Sequence, residues 1–259
     1  DKEFGVKDGG KVAELSASGR NGLEFGAMWN PLWPLQDNKS NDKNAEWQAY
    51  PLVSVDDKPA NPQSSLAVGQ FFAVKKGAKH PEAIVKLMNL FIEKGWGETA
   101  DPGKYFTCEG IEKYKYALGQ AWPARKNLDA HLHILEANQK GDTSILNAEE
   151  LDYNTKIEKY KKGANEFWGV DRVFGETGSF TVINKYVNDN LMKINEFYGA
   201  PTPTQVEKGS TLSKMEVEVF TKIIMGDSIE NFDKFVNDWK KLGGDSITKE
   251  INEWASSKK

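Results

Sequence analysis

Cysteine is almost missing from this chain: Cys108 is the only one in 259 residues, which rules out an internal disulfide and any multi-cysteine metal site. Histidine is scarce too, with three in all; His131 and His133 stand two apart on an expected helix and so point in different directions, against a shared metal. No apolar run approaches the roughly 20 residues that a membrane span needs; the longest, Gln70-Phe71-Phe72-Ala73-Val74, is strand-length. Charge of one sign is also lacking. With 34 basic and 38 acidic residues the net charge is −4, and nothing electrostatic points to a nucleic-acid partner. Basic pairs such as Lys161-Lys162 and Lys240-Lys241 sit beside acidic residues and read as solvated faces. The chain opens at Asp1 with neither methionine nor signal peptide, so processing or design is expected to have removed what came before.

What is present is a few strand-like segments followed by many helices. A short helix is expected over residues 11–18. Strands are expected over 23–29, 47–53 and 66–74, where aromatic and β-branched residues concentrate. Prolines 31 and 34 keep 30–34 irregular, and residues 36–46 read as a polar loop. Pro81 opens a helix whose face is Ile84, Leu87, Met88 and Phe91, stopped by Gly95. A short aromatic helix is expected near Tyr114 to Leu118, then another through Leu128, His131, Leu132 and Leu135 to Gly141. Asn147 with Glu150 reads as a capping box, with Tyr153, Ile157, Tyr160, Ala164 and Phe167 on the apolar face that follows. Gly175, Gly178 and Ser179 break that helix from one carrying Val182 to Ile194. Ser213 with Glu216 reads as a second capping box, Ser228 as a cap, and Gly243-Gly244 as the stop before a last helix through Ile247, Ile251 and Trp254. So few strands cannot cover so much helix, which points to sheet partners from a segment not in this chain.

Four stretches carry a family likeness. The first runs from Phe220-Thr221-Lys222-Ile223-Ile224-Met225-Gly226 through Trp239-Lys240-Lys241-Leu242-Gly243-Gly244 to Glu250-Ile251-Asn252-Glu253-Trp254. The others are Met28-Trp29-Asn30-Pro31-Leu32-Trp33-Pro34, His80 through Leu90, and Trp168 through Ser179. Together they resemble the family 1 extracellular solute-binding proteins, the substrate-binding lipoproteins of ABC importers, of Bacillus and Paenibacillus type. The resemblance covers nearly all of this chain and about the C-terminal half of the family pattern. It implies an α/β, periplasmic-binding-protein-like type II clamshell, of which this chain is a helix-rich C-terminal portion. Residues 1–60 would end the second lobe's sheet, 61–105 return to the first lobe, and 106–259 complete the second lobe and hinge.

The resemblance further implies capture of a carbohydrate, expected to be an oligosaccharide, in an interlobe cleft by hinge closure. The expected partners are that ligand and the membrane permease subunits. The expected location is extracellular, lipid-anchored to the outer face of the cytoplasmic membrane by an N-terminal anchor that this chain lacks, since Cys108 is internal. Neither a cofactor nor catalysis is expected. A helix-rich carbohydrate-active enzyme is the alternative, but the acids fall at helix starts and on polar faces and no nucleophile–base set stands out. A non-catalytic interaction module is the other.

Sugars offer flat C–H faces and a rim of hydroxyls, which aromatic rings and polar side chains match. Trp29, Asn30 and Trp33, on a proline-stiffened segment at a strand end, are the first candidate group; each indole either faces a cleft or packs in the core. Trp168, Arg172 and Ser179, with Asp171 and the loop from Gly175, form the second, at a helix break whose free N–H groups suit ligand oxygens or make a plain turn. Gly-x-x-Gly-Ser lacks the lysine and spacing of a phosphate loop. Trp239 and Trp254 read as core, while Trp47 and Trp122 stay undetermined. Asp37, Asn41 and Asp42 fail calcium-loop spacing, with Lys39 where an oxygen ligand belongs.

Overall fold

The computed structural model describes residues 9–65, 69–108 and 111–258. Helix dominates, and the chain divides into a larger unit, residues 13–62 and 68–193, and a smaller one built mainly from residues 194–259.

The larger unit begins in α1 (Gly9–Ala17) and continues with α2 (Leu35–Asn41), α3 (Ala83–Trp96), α4 (Pro102–Tyr105), α5 (Lys126–Lys140), α6 (Ala148–Lys161), α7 (Trp168–Phe174) and α8 (Ser179–Asn188). Its core lies among α5 to α8: Leu128, Ala130, Ile134, Ile157, Val173, Phe174 and Phe180 pack together, with Tyr153 stacked on Phe174 at 4.2 Å between ring centroids. Local rules explain the helix limits. Asn147 accepts from the Glu150 amide at 3.0 Å while the Glu150 carboxylate accepts from the Asn147 amide at 2.9 Å, the expected capping box that opens α6. Gly141 ends α5 at φ 67°, where a side chain would be strained. The face expected to run from Tyr153 to Phe167 belongs to two elements, because Gly163 at φ 103° breaks the helix and a 3-10 turn, Asn165–Phe167, follows.

A second, aromatic cluster sits beside α3. Phe91, Trp96, Phe106, Tyr114 and Trp122 meet at centroid distances of 4.9 to 6.1 Å, mostly tilted or edge-on. The Glu149 carboxylate anchors it, accepting from Trp96 Nε1 at 2.6 Å, Lys126 Nζ at 2.6 Å and the Tyr153 hydroxyl at 2.9 Å. Burial, with Glu149 adjacent, pushes the Tyr153 phenol well above its ordinary range.

The smaller unit holds α9 (Pro203–Ile224), α10 (Glu230–Trp239) and α11 (Asp245–Ser256). Its first helix starts at Thr202, whose side chain and that of Gln205 form a reciprocal capping box with Pro203 at the first turn. Ser213 and Glu216, expected to open a helix, lie within α9: the same residue spacing recurs inside helices, where the backbone donors are already taken. Phe220 of α9 meets Phe235 of α10 edge-on at 5.8 Å. Gly243-Gly244, expected as a plain stop, lie in a π-helical turn, Lys240–Gly244, with Gly243 at φ 154° and packed on Thr204 and Lys208. Glu250 accepts from the Thr204 hydroxyl at 2.6 Å and ties α11 to the start of α9.

The expected α/β clamshell is overturned. Among the described residues strand is confined to two pairs of two-residue segments. β1 (Gln63–Ser64) pairs in parallel with β4 (Lys193–Ile194), and β2 (Thr107–Cys108) pairs antiparallel with β3 (Ile111–Glu112). The physical reason is a lack of partners. Residues 23–27, 45–54 and 69–75 have no regular secondary structure, and none forms a ladder with another described segment. The rest of the third expected strand, 66–68, lies outside the described residues. Residues 36–46, expected as loop, contain α2.

Candidate functional site

The candidate site is built around the turn from Met28 to Pro34. It closes on itself through Asn30 N–H to the Ala27 carbonyl, 3.0 Å, Leu32 N–H to the Trp29 carbonyl, 2.8 Å, and Leu35 N–H to the Asn30 carbonyl, 3.2 Å. Three contacts seat it on the larger unit. The Ser179 hydroxyl at the start of α8 donates to the Met28 carbonyl at 2.6 Å. Gly169 in α7 lies so close that a Cβ there would sit 2.5 Å from the Pro31 carbonyl oxygen. Gln36, the second residue of α2, accepts from Gly169 N–H at 2.7 Å and donates to the Asn165 carbonyl at 3.0 Å. The Asn30 amide donates to Glu24 at 2.8 Å, and Glu24 also accepts from the buried Ser16 hydroxyl at 2.9 Å.

A fixed backbone with outward indoles results. Trp29 is 46% exposed and Trp33 50% exposed, with Leu32 beside them also open. Single exposed apolar side chains are ordinary, whereas several grouped on one turn make a candidate interaction surface.

Trp168 differs: it is fully buried and its indole N–H donates to Glu46 at 3.2 Å, so it offers no face to a ligand. Arg172 joins the same carboxylate at 3.1 Å, donates to the Thr177 hydroxyl at 2.8 Å and lies 3.5 Å from Asp171; its buried Nε has no partner among the described residues. Lys39, nearly sealed from solvent, bonds Glu46 and donates to the Lys43 and Ala45 carbonyls at 2.8 and 3.0 Å. Burial pulls the Glu46 carboxyl upward, yet bonds from Lys39, Arg172 and Trp168 outweigh it and hold the group below its ordinary value. Burial raises Asp171 above the usual carboxylate range, with Arg172 offsetting only part.

The sequence-predicted residues therefore fall into three roles. Trp29 and Trp33 face outward, Asn30 and Ser179 hold their turn, and Trp168 and Arg172 belong to a brace behind it. Glu46, Lys39 and Gln36 complete that brace and were missed, because the polar stretch 36–46 carries no periodicity; the one available signal was a lysine and a glutamate seven residues apart. Trp122 is 44% exposed at the rim of the aromatic cluster, and Trp47 donates to Asn38 at 2.8 Å. Trp254 packs edge-on against Phe197 and Tyr198, and Trp239 lies against Gly244. Among the described residues no three His, Cys, Asp or Glu side chains are grouped to hold a metal, and no helix is long and apolar enough to cross a membrane.

No family model matches the chain, and no solved structure matches it. It is similar to a protein of Niallia circulans described as "Uncharacterized protein in butB 5'region", 24% identical over 267 residues, an alignment that spans all of this chain and 94% of that relative. That description names no ligand, reaction or partner.

Proposed function

We propose that this chain belongs to the substrate-binding component of an ABC importer and contributes an aromatic platform that captures a carbohydrate, with Trp29 and Trp33 stacking on the sugar face. The observation that carries this reading is the pair of half-exposed indoles on a turn locked by Ser179, Gly169 and Gln36. Rigid, preplaced rings lose little entropy on binding, and a sugar's C–H face is the ligand surface that suits them. The partners this reading calls for are permease subunits, and its setting is the outer face of the cytoplasmic membrane. Glu46 and Asp171 share Arg172 as a partner and act in this reading as a brace, not as an acid–base pair.

Titration of intrinsic tryptophan fluorescence with a panel of plant-wall and host-glycan oligosaccharides tests it. One class should give a saturable change, and Trp29→Ala or Trp33→Ala should each weaken binding about tenfold or more, equivalent to about 1.4 kcal/mol. Melting temperatures of both variants should stay near that of the parent, because neither ring is buried. Labelled oligosaccharides should be recovered intact after incubation. No response across the panel, or release of new reducing ends, would overturn the proposal.

A further inference from the structure

Asn21-Gly22 is the one place in the chain where glycine follows asparagine. In such a pair the backbone nitrogen of the second residue can attack the side-chain carbonyl of the first, because glycine has no Cβ to hinder the approach and reaches the backbone angles that the ring needs. The structure leaves this pair free to react. It lies outside helix and strand, just past the turn in which the Gly19 and Arg20 N–H groups donate to the Ser16 and Leu15 carbonyls, each at 3.0 Å. Gly22 is exposed, a Cβ there would meet nothing within 4 Å, and its N–H has no partner among the described residues. The Asn21 side chain makes one hydrogen bond among the described residues, from Nδ2 to the Ser16 hydroxyl at 3.2 Å, and its carbonyl carbon is open to attack. Other asparagines differ. Asn30 and Asn61 precede prolines, which offer no N–H, and Asn138 and Asn154 lie inside helices, where the backbone is held away from the ring geometry.

What the reaction would change is the hold on the tryptophan turn. Asn21 stands at the end of a chain of hydrogen bonds. The fully buried Ser16 receives the Asn21 amide and donates its hydroxyl proton to Glu24 Oε2 at 2.9 Å, and Glu24 Oε1 accepts from the Asn30 amide at 2.8 Å. A carboxylate at position 21 can only accept, so it competes with Glu24 for the single Ser16 proton and sets a like charge close to Glu24. Both effects weaken the Ser16–Glu24–Asn30 link.

We infer that Asn21 is a site of spontaneous deamidation, and that its conversion loosens the turn carrying Trp29 and Trp33. The Gly22 nitrogen bonds to the Asn21 side-chain carbonyl carbon and gives its proton to solvent base. The bond from that carbon to Nδ2 breaks, and the nitrogen takes a proton from solvent and leaves as ammonia. Water then opens the cyclic imide at either carbonyl, giving aspartate or isoaspartate. One water is consumed and one ammonia released, and nothing is oxidised or reduced. The inference stands whether or not the turn binds a sugar. To test it, the whole chain is incubated in mildly alkaline buffer and peptide mass spectrometry locates each conversion of amide to acid. Residue 21 should convert faster than any other asparagine. Gly22→Ala, whose added Cβ has open space, should slow that conversion at least about tenfold. Asn21→Asp, a permanent form of one product, should quicken amide exchange about tenfold or more at Asn30 and Leu32, whose N–H groups close the turn. Amides at Ile134 and Ile157, in the core of α5 to α8, should exchange as in the parent, which separates local loosening from unfolding. Four results would overturn the inference: no conversion at residue 21; conversion as fast in Gly22→Ala; unchanged exchange at Asn30 and Leu32 in Asn21→Asp; or core amides that quicken there as much as those of the turn.

Discussion

Gly169→Ala is the sharpest probe of whether the turn bearing Trp29 and Trp33 is held by α7. The added Cβ would lie 2.5 Å from the Pro31 carbonyl oxygen, 3.0 Å from its carbon and 3.1 Å from the Leu32 Cα, all backbone atoms, where ordinary contact begins at 3.4 Å. The turn must therefore retreat by about 0.9 Å, the gap between 2.5 and 3.4 Å, and the Gln36–Gly169 and Ser179–Met28 bonds stretch with it. Overpacking of this kind costs about 1–3 kcal/mol, whereas a glycine-to-alanine change in a free helix gains up to about 1 kcal/mol. Gly209→Ala is the matched control: it is within α9, and a Cβ there meets nothing within 4 Å. Thermal melts by circular dichroism should move the two variants in opposite directions, Gly169→Ala downward by about 2–4 °C per kcal/mol. Acrylamide quenching should report a changed environment for the two exposed indoles. A Gly169→Ala melt at or above the parent's, with quenching unchanged, would refute the claim that α7 positions the turn.

Other consequences follow from the same contacts. Asn147→Ala removes one side of the α6 capping box and should cost about 0.5–2 kcal/mol in a denaturant melt, while Ser213→Ala, inside α9, should cost far less. Lys39→Met strands the Lys43 and Ala45 carbonyls and should destabilise by about 1–3 kcal/mol. His131, whose Nδ1 faces the Phe174 carbonyl at 3.0 Å, is held below its ordinary pKa by burial. Its contribution is therefore full above the unfolded value of about 6.5 and is lost as pH falls through the lower folded value; His131→Gln should flatten that part of a stability-versus-pH curve. Asp171 has the opposite sign. Its folded pKa is raised, so its contribution is full below the unfolded value and is lost as pH rises through the folded one, and Asp171→Asn should remove that loss.

Much that was legible in the chain is local. The Asn147–Glu150 box, the stop at Gly141 and the α3 stripe of Ile84, Met88 and Phe91 depend on residues within a turn or two of each other, and helix rules read them directly; Leu87, expected on that stripe, is 38% exposed, and α3 runs past Gly95 to Trp96. The false start at Ser213 shows the limit: the motif is real, but Thr202, Pro203 and Gln205 nucleate the helix earlier and absorb it. Helix α2 was unreadable because Gln36, Asn38 and Lys39 are fixed by Asn165, Gly169, Trp47 and the carbonyls of Lys43 and Ala45, not by an apolar face of its own. The strands divide the same way. Side-chain shape suggested strands over 47–53 and 66–74, but a ladder needs a second backbone about 5 Å away, no local pattern supplies one, and the described residues of both segments have no regular structure. Indole exposure was likewise a tertiary outcome. Trp29, Trp33 and Trp168 are the same residue type, yet the seat formed by Gly169 and Ser179 leaves two of them open while the third is buried with its N–H on Glu46. Local sequence thus determined helix limits such as those at Asn147 and Gly141, because those preferences are set within a few residues. Which rings face solvent and which strands lack a neighbour was decided only when distant parts of the chain met.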